Sequence, residues 1–410
     1  MTLKPHRYLL LTEVPPMREG GHGCHVLATT LLDHLGDQIC AVVTQRYSRR
    51  ISPRRAAVWF SQPFFWHSGG SRVGLRRIFP EIAEIFAAFS ACVHLLTWKR
   101  RILALGTERI FLLLGSSAWY LPVGVWSSRI LHLPLDIYVV DDLEESARFQ
   151  NRRFLQRIVG KLQSSCFSKA DRIFAISPEL AEQLRWFPRI SAEWLPIPLP
   201  AISDSATKFL KISEEIVYVG GVNFLYAEAL VEVWTAIEKW NQLRPDKPLT
   251  LHVISYSPEA PLSRLLDKIP GIRITRNATN SELRSVASRA RALILPYSHL
   301  PNVRRMVKTS FPSKLGEYFR ARRPILLYAP LDSSSARYFA TQGLPLATST
   351  QEGLISLLDE LFVIDESDLL CRYLNTYQSL HSSAALRAAL NATTFSALSQ
   401  SSKTNSPVNR

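Results

Sequence analysis

Ser310–Pro330 reads SFPSKLGEYFRARRPILLYAP, and this segment decides the fold. Pro312 suits the first turn of a helix, where a missing N–H costs nothing. Lys314 and Glu317 are three apart, so both project from one side of that helix. Arg320, Arg322 and Arg323 fall in its last turn, where cations complement the helix dipole. Pro324 stops the helix, and Ile325–Ala329 reads as a strand buried on both faces. A cation and a carboxylate at the mouth of an α/β sheet are placed to hold a ligand carrying phosphate and hydroxyl groups.

The same alternation of strand and helix runs outward from this segment. Upstream lie a strand Ile216–Val219 before Gly220-Gly221, a helix Leu225–Trp240, and strands Leu249–Ile254 and Ile272–Ile274. A helix Ser281–Arg289, capped by Ser281, and a strand Ala292–Leu295 follow; Glu352–Leu361 and Leu369–Leu390 are helical in pattern. The first half opens with a strand Arg7–Glu13, a glycine-rich loop Pro15–Gly23 and a helix His25–Leu35. A strand Ile39–Thr44, an irregular stretch over residues 45–78 and a helix Phe79–Ala104 come next. Strands Arg109–Leu114, Ile137–Asp142 and Arg172–Ile176 alternate with helices Arg152–Ser168 and Pro178–Arg185. Leu195–Pro200 (LPIPLP) divides the halves, a stiff proline-rich link expected to join neither core. The expected architecture is α/β, two Rossmann-like domains facing a central cleft. The N-terminal domain takes residues 1–195 and the linker 196–200. The C-terminal domain takes 201–370, a helix over 371–395 packs back toward the first domain, and the tail 396–410 is frayed.

At 410 residues the chain exceeds one compact core. Hydrophobic content of 47% and charged content of 20% exclude a disordered chain. The net charge of +15 attracts anions: nucleic acid, anionic lipid or phosphorylated small molecules. No nucleic-acid-binding motif accompanies the charge, so nucleic acid is not an expected partner. Cys24, Cys40, Cys92, Cys166 and Cys371 are scattered without a C-x-x-C pair and suit a reducing compartment. Tyr8–Thr12 is too short for a signal-peptide core, and no run of 18 apolar residues occurs. The nearest candidate, Phe79–Trp98, is interrupted by Glu81, Glu84, His94 and Thr97 and reads as amphipathic. A cytoplasmic protein that touches the inner face of a membrane is expected.

Three places point at the cleft. The backbone of Gly20-Gly21-His22-Gly23, between a strand and a helix, could cradle an anion. It is not a dinucleotide fingerprint, because Val26 stands where glycine or alanine is needed, and no Gly-Lys-Ser/Thr follows. His22, Cys24 and His25 match no standard zinc spacing. Asp141 and Asp142 end the strand IYVV; such carboxylates orient a hydroxyl or take its proton. Asp142 equally suits a helix cap, with Glu144 and Glu145 in the first turn, and both readings stand. The third place combines Gly220-Gly221 with Arg304, Arg305, Lys308, Lys314 and Glu317. Lysine and arginine neutralise a diphosphate, and a carboxylate takes the two hydroxyls of a ribose. No metal site is expected.

These segments resemble the GT-B glycosyltransferases, in particular the family 4 type, from about Arg7 to Leu390. PSKLGEYFRARRPILLYAP is similar to the family's segment carrying a ribose-binding glutamate, which implies that role for Glu317. ADRIFAISPELAEQL (Ala170–Leu184) is similar to the stretch closing the first domain, and EEIVYVGGV to the strand and glycine turn opening the second. ARALILPYS (Ala290–Ser298) resembles the strand before the donor site. The resemblance places Gly20-Gly21 near the donor phosphates and the acceptor. Departures are clear: Thr309 stands where the family's first paired glutamate is expected, and Gly221 with Val222–Ala227 replaces its usual Arg and Lys. Lys314, with Arg304, Arg305 or Lys308, is expected to supply that charge. Asp141-Asp142 replaces a His-Asp pair, and Pro-Ile-Pro-Leu replaces Asn-Gly-Val-Asp at the link.

The resemblance implies transfer of a sugar from a nucleoside-diphosphate sugar to an acceptor hydroxyl, in polysaccharide or glycolipid biosynthesis. It further implies retention of configuration and no cofactor or metal beyond the donor substrate. A carbohydrate or lipid-linked acceptor would bind the first domain. Arg46, Arg49, Arg50, Arg54 and Arg55 with Trp59 and Trp66 suggest docking to an anionic membrane, although the same residues could form a lid. A GT-B-like scaffold that binds without catalysis is the alternative, given Thr309 and Gly221.

Overall fold

Two all-parallel sheets carry the chain in the computed structural model, which describes residues 6–16, 23–44, 57–60, 80–115, 117–187, 190–202, 212–255 and 266–391. The first contains β1 (Tyr8–Thr12), β2 (Ile39–Thr44), β3 (Ala57–Phe60), β4 (Arg109–Leu114), β5 (Leu135–Val139), β6 (Arg172–Ala175) and β7 (Ala192–Trp194). Their order is β3-β2-β1-β4-β5-β6-β7. The second contains β8 (Glu215–Val219), β9 (Thr250–Ser255), β10 (Ile272–Arg276), β11 (Ala292–Pro296), β12 (Ile325–Tyr328) and β13 (Ala347–Thr348), ordered β10-β9-β8-β11-β12-β13. Every residue of β1 and β2 is buried, as central parallel strands between helical layers require. Each order reverses beside its first strand, at β1/β4 and at β8/β11. Ligands bind outside the carboxyl ends of strands at such switch points.

Several elements depart from the sequence reading. Within the stretch read as irregular, β3 forms an edge strand, and its Trp59 stacks on Trp98 at 5.9 Å. The arginines over 46–55, together with Trp66, lie outside the described residues. A helix Tyr120–Leu131 was not anticipated: it contains Pro122 and Gly124 and is apolar over most of its length, so it shows little periodicity. The helix at 280 is capped by Thr279 rather than Ser281. Thr279 Oγ1 accepts from the Glu282 amide (3.2 Å) while the Glu282 carboxylate accepts from the Thr279 amide (2.7 Å). The opening segment's helix is Leu315–Ala321, with Lys314 at its N-cap position and Pro312 in the turn before it.

The LPIPLP link is buried and joins both cores, contrary to expectation. Proline at alternate positions leaves Leu195, Ile197 and Leu199 to pack inward, each at most 2% exposed. Their carbonyls accept from the Tyr138 hydroxyl (3.0 Å), His381 Nδ1 (2.6 Å) and His34 Nε2 (2.8 Å). His381 also breaks the helix read as continuous over Leu369–Leu390. Glu366–Thr376 ends in a π turn, Tyr377–His381, and helix resumes over 383–391. With Nδ1 donating, His381 Nε2 accepts from the Tyr338 hydroxyl (2.6 Å), and burial lowers its pKa to about 4. The resumed helix lies on the first domain: Arg387 donates to the His34 carbonyl (2.9 Å), and Arg172 to that of Leu390 (2.6 Å). The tail from residue 392 lies outside the described residues.

At the amino ends of the first sheet, fully buried Asp136 is held by Arg109 (2.6 Å) and Arg172 (2.5 Å). Burial pushes its carboxyl up, but the bonds from both guanidiniums outweigh this and hold its pKa below the usual carboxylate range. No helix among the described residues is long and apolar enough to cross a membrane.

Candidate active site

The carboxyl end of β8 is clamped by the helix that carries Lys314 and Glu317. The Tyr318 hydroxyl accepts from the Val219 amide (3.0 Å) and donates to the Ile294 carbonyl (3.0 Å), tying β8 and β11 to this helix. Gly220 follows with φ +139°, a backbone conformation that L side chains rarely adopt. A Cβ there would fall 2.3 Å from Lys314 Cε and 3.1 Å from Nζ. The φ requires the glycine, and the end of the lysine side chain fills the space a Cβ would take. No atom lies within 4 Å of a Cβ built on Gly221.

Lys314 Nζ donates to the Tyr218 hydroxyl (2.5 Å) and sits over the rings of Tyr218 (4.2 Å) and Tyr226 (3.6 Å). The Tyr218 hydroxyl donates onward to the Gly221 carbonyl (2.8 Å). The residue is partly exposed, yet its amine is enclosed, and no carboxylate among the described residues pairs with it. Burial lowers its pKa well below the usual lysine range. An anion brought beside this amine would favour its charged form.

Glu317, one turn on, lines a cavity of about 270 Å³ with Val219, Asn280, Leu283 and Arg284, and pairs with Arg320 at 3.2 Å. Lys314 and Glu317 therefore lie at the same β8 edge, the ammonium on the glycine turn and the carboxylate in the cavity beside it.

The first domain faces this edge across a cavity of about 400 Å³, lined by Glu13, His25, Asp141, Phe149, Phe224 and Tyr226 among others. Phe149 of the first domain stacks on Phe224 of the second, centroids 4.0 Å apart and planes 7° apart, so both domains wall the space. Asp141 follows β5, and Glu13 follows β1. The Asp141 residue is partly accessible, but its carboxyl sits deep between these walls. Burial, then the charges of Glu13 and Asp142, raise its pKa to about 6. Glu13 is 5% exposed and accepts from the Ser117 amide (3.2 Å). His25 Nδ1 donates to the Pro15 carbonyl (2.7 Å), which fixes its tautomer.

Asp142 takes the capping half of its reading. It accepts from the amides of Glu144 (3.0 Å) and Glu145 (3.2 Å) and from the Gln183 side chain (2.7 Å), and pairs with Arg305 (2.8 Å). It points into a different interdomain cavity, of about 680 Å³, shared with Arg304, Arg305, Lys308 and Thr309. Arg305 also pairs with Glu144 (2.8 Å), and Arg304 with Asp332 (2.6 Å), while Lys308 is exposed. The two arginines neutralise the protein's own carboxylates, and none of the three cations joins Lys314 at the glycine turn. The helix carrying them, Arg304–Thr309, belongs to the domain contact, where Ser177 Oγ donates to the Thr309 carbonyl (2.8 Å). Thr309 is buried, its hydroxyl bonded within its own helix. Gly20 and Gly21 lie outside the described residues; Gly23 opens the helix Gly23–Leu35.

Sequence reasoning missed Glu13, Tyr218, Tyr226, Phe149 and Phe224. Glu13 carried the signal that singled out Asp141, a carboxylate directly after a buried strand. The tyrosines and phenylalanines carried none, because they meet only through the fold.

The two sheets and the cleft between them match solved structures. A UDP-forming α,α-trehalose-phosphate synthase from Burkholderia vietnamiensis superposes with a TM-score of 0.62, over 95% of this chain and 100% of that one, at 11% identity. The fold is GT-B. A synthase of the same description from Burkholderia xenovorans, in complex with glucose-6-phosphate, covers 94% of this chain and 99% of its own at TM-score 0.60 and 11% identity. A trehalose-6-phosphate protein of E. coli, bound with UDP-2-fluoro glucose, covers 94% and 98% at TM-score 0.59 and 9% identity. No family model and no curated protein matches the sequence.

Proposed function

We propose that this GT-B protein is a glycosyltransferase that moves a sugar from a nucleoside-diphosphate sugar to an acceptor hydroxyl. The observation that carries the reading is Lys314: an enclosed amine with no carboxylate partner among the described residues, lying on the glycine turn at a switch point beside the Glu317 cavity. A diphosphate on the turn would meet that ammonium, and Glu317 would take the ribose hydroxyls. The sugar would then extend toward Asp141, which would orient the acceptor hydroxyl and accept its proton. A carboxylate with pKa near 6 is largely ionised at neutral pH and more basic than an ordinary aspartate. Lys314 would neutralise the leaving diphosphate in a cleft with little water, which is electrostatic catalysis. Structures of similar fold bound with UDP-2-fluoro glucose and glucose-6-phosphate support this kind of donor and a sugar acceptor.

Within this fold, PSKLGEYFRARRPILLYAP favours the family 4 type, with retention, no metal, and a carbohydrate or lipid-linked acceptor in the cytoplasm. The test is a panel of nucleotide sugars, measuring release of nucleoside diphosphate with and without acceptor. Release with one donor, lost in Glu317→Ala, is expected. Tight nucleotide binding without turnover under any condition would favour the scaffold reading, to which Thr309 in place of a glutamate gives its support. Neither binding nor turnover would defeat both.

A further inference from the structure

The helix Leu143–Phe149 follows directly on Asp141 and Asp142, and the second domain holds it at both ends. At its start Arg305 meets three carboxylates of the first domain. The Arg305 Nε lies 2.8 Å from Asp142, one Nη 2.8 Å from Glu144 and the other 3.9 Å from Glu145. At the far end the Arg148 guanidinium donates to the Asn302 carbonyl, and the Phe149 ring stacks on Phe224 at 4.0 Å. Asn302 and Arg305 belong to consecutive turns of the second domain, Pro301–Val303 and Arg304–Thr309. Phe224 lies four residues after Gly220, on the loop that leaves the glycine turn. The backbone that presents Asp141 is therefore tied to the domain that carries Lys314 and Glu317.

The burial of the two partners sets Arg305 apart from an ordinary surface pair. Its own side chain is 45% exposed, whereas that of Asp142 is 1% exposed. Asp142 also accepts from the Glu144 and Glu145 amides and from Gln183, so the helix cap survives without the arginine. What leaves with Arg305 is the tie to the second domain and the positive charge beside Asp142. Asp141 feels that charge. Its carboxyl is pushed up by burial, then by Glu13 and by Asp142, and a cation lodged on Asp142 offsets the last of these. Cys24 and His25 line the same cavity from the helix Gly23–Leu35. Tyr226 and Tyr297 approach from the second domain, where burial keeps both phenols protonated. None of these four carries a fixed positive charge.

We propose that Arg305 is a positioning residue for Asp141: from the second domain it anchors the helix that this carboxylate precedes and offsets the negative charge beside it. Asp141 is then placed, and its ionised form sustained, only while the two domains are in contact. The task of Asp141 rests on the transfer reading; the effect of Arg305 on its charge does not.

The test titrates the Asp141 carboxyl directly, by carbon-13 NMR of protein labelled at aspartate and assigned with Asp141→Asn, in wild type, R305Q and R305K. The midpoint should stand near 6 in wild type. It should rise by about half a unit or more in R305Q, and by less in R305K, which keeps the charge but not the planar fork. With a donor that is turned over, R305Q should lower kcat by about tenfold and carry the acid limb up with the carboxyl, at unchanged affinity for UDP or GDP. The proposal is overturned if the R305Q midpoint coincides with that of wild type or if the acid limb fails to follow it. It is overturned equally if nucleotide affinity falls with kcat, which would make Arg305 a diphosphate ligand. An upward shift in a protein that turns over no donor would defeat the transfer reading and leave the control of Asp141 by Arg305 standing.

Discussion

Replacing Lys314 by Met should move stability and nucleotide affinity in opposite directions. Methionine keeps an unbranched stem and removes the ammonium. In the free protein that amine has a tyrosine hydroxyl and two ring faces but, among the described residues, no carboxylate, and burial depresses its pKa. Each unit of depression is worth about 1.4 kcal/mol against the folded state wherever the lysine is charged in both states. Between the depressed pKa and the ordinary lysine value, the unfolded chain binds more protons than the folded one. Wild-type stability therefore rises with pH across that window, and the variant's advantage is greatest on its acid side. Diphosphate binding does the reverse. The bound anion favours the charged amine, so binding takes up a proton, and the lost contact is a hydrogen bond to a charged group worth about 1.5–3 kcal/mol. Lys314→Met should thus bind UDP or GDP roughly ten- to a hundredfold more weakly. Thermal melts with and without nucleotide read the first effect. Calorimetry in buffers of different ionisation enthalpy reads the second and the proton uptake, which the variant should lack. Unchanged nucleotide affinity together with a lower melting temperature would refute the reasoning, because it would make Lys314 a packing residue.

Asp141→Asn should lower kcat by about 10²–10⁴-fold without loss of stability. The folded carboxyl holds its proton up to about pH 6, so ionising it above that pH costs the folded state, and the wild-type rate should fall as pH drops through the same range; a flat acid limb would remove Asp141 from the proton transfer. Gly220→Ala should mimic Lys314→Met in nucleotide affinity, since its Cβ takes the space of Lys314 Cε, and should also lose about 1–3 kcal/mol of stability to the strained φ of +139°. Asp136→Asn leaves Arg109 and Arg172 without their buried carboxylate and should cost about 3–5 kcal/mol in denaturant melts followed in the first domain. A change under about 1 kcal/mol there would mean that the guanidiniums find other partners.

Composition and periodicity were enough for the central strands, though not for β3, β7 and β13, because a parallel strand buried on both faces is an apolar run with no competing reading. Ile39–Thr44 and Arg109–Leu114 were legible to the residue. Local chemistry also carried Glu317 and Lys314, three apart at a helix start. The helix Tyr120–Leu131 was illegible for the converse reason, since a segment buried nearly all round has no polar face to mark its period. The proline-rich link misled because stiffness says nothing about burial: its carbonyls found His34 and His381 as donors from residues far along the chain.

The sequence by itself determined two α/β halves, a glycine turn after β8 and a lysine–glutamate pair beside it, all matters of spacing within a few residues. Only the tertiary structure decided which cations are paired within the protein. Arg304, Arg305 and Lys308 look equivalent to Lys314 in sequence, yet Arg304 and Arg305 are paired with the protein's own carboxylates, and Lys308 stands at another cavity. Whether a charge is paired depends on what the fold lays against it: Asp142 meets Arg305 from 163 residues away, while among the described residues the Lys314 amine meets Tyr218 and Tyr226 and no carboxylate.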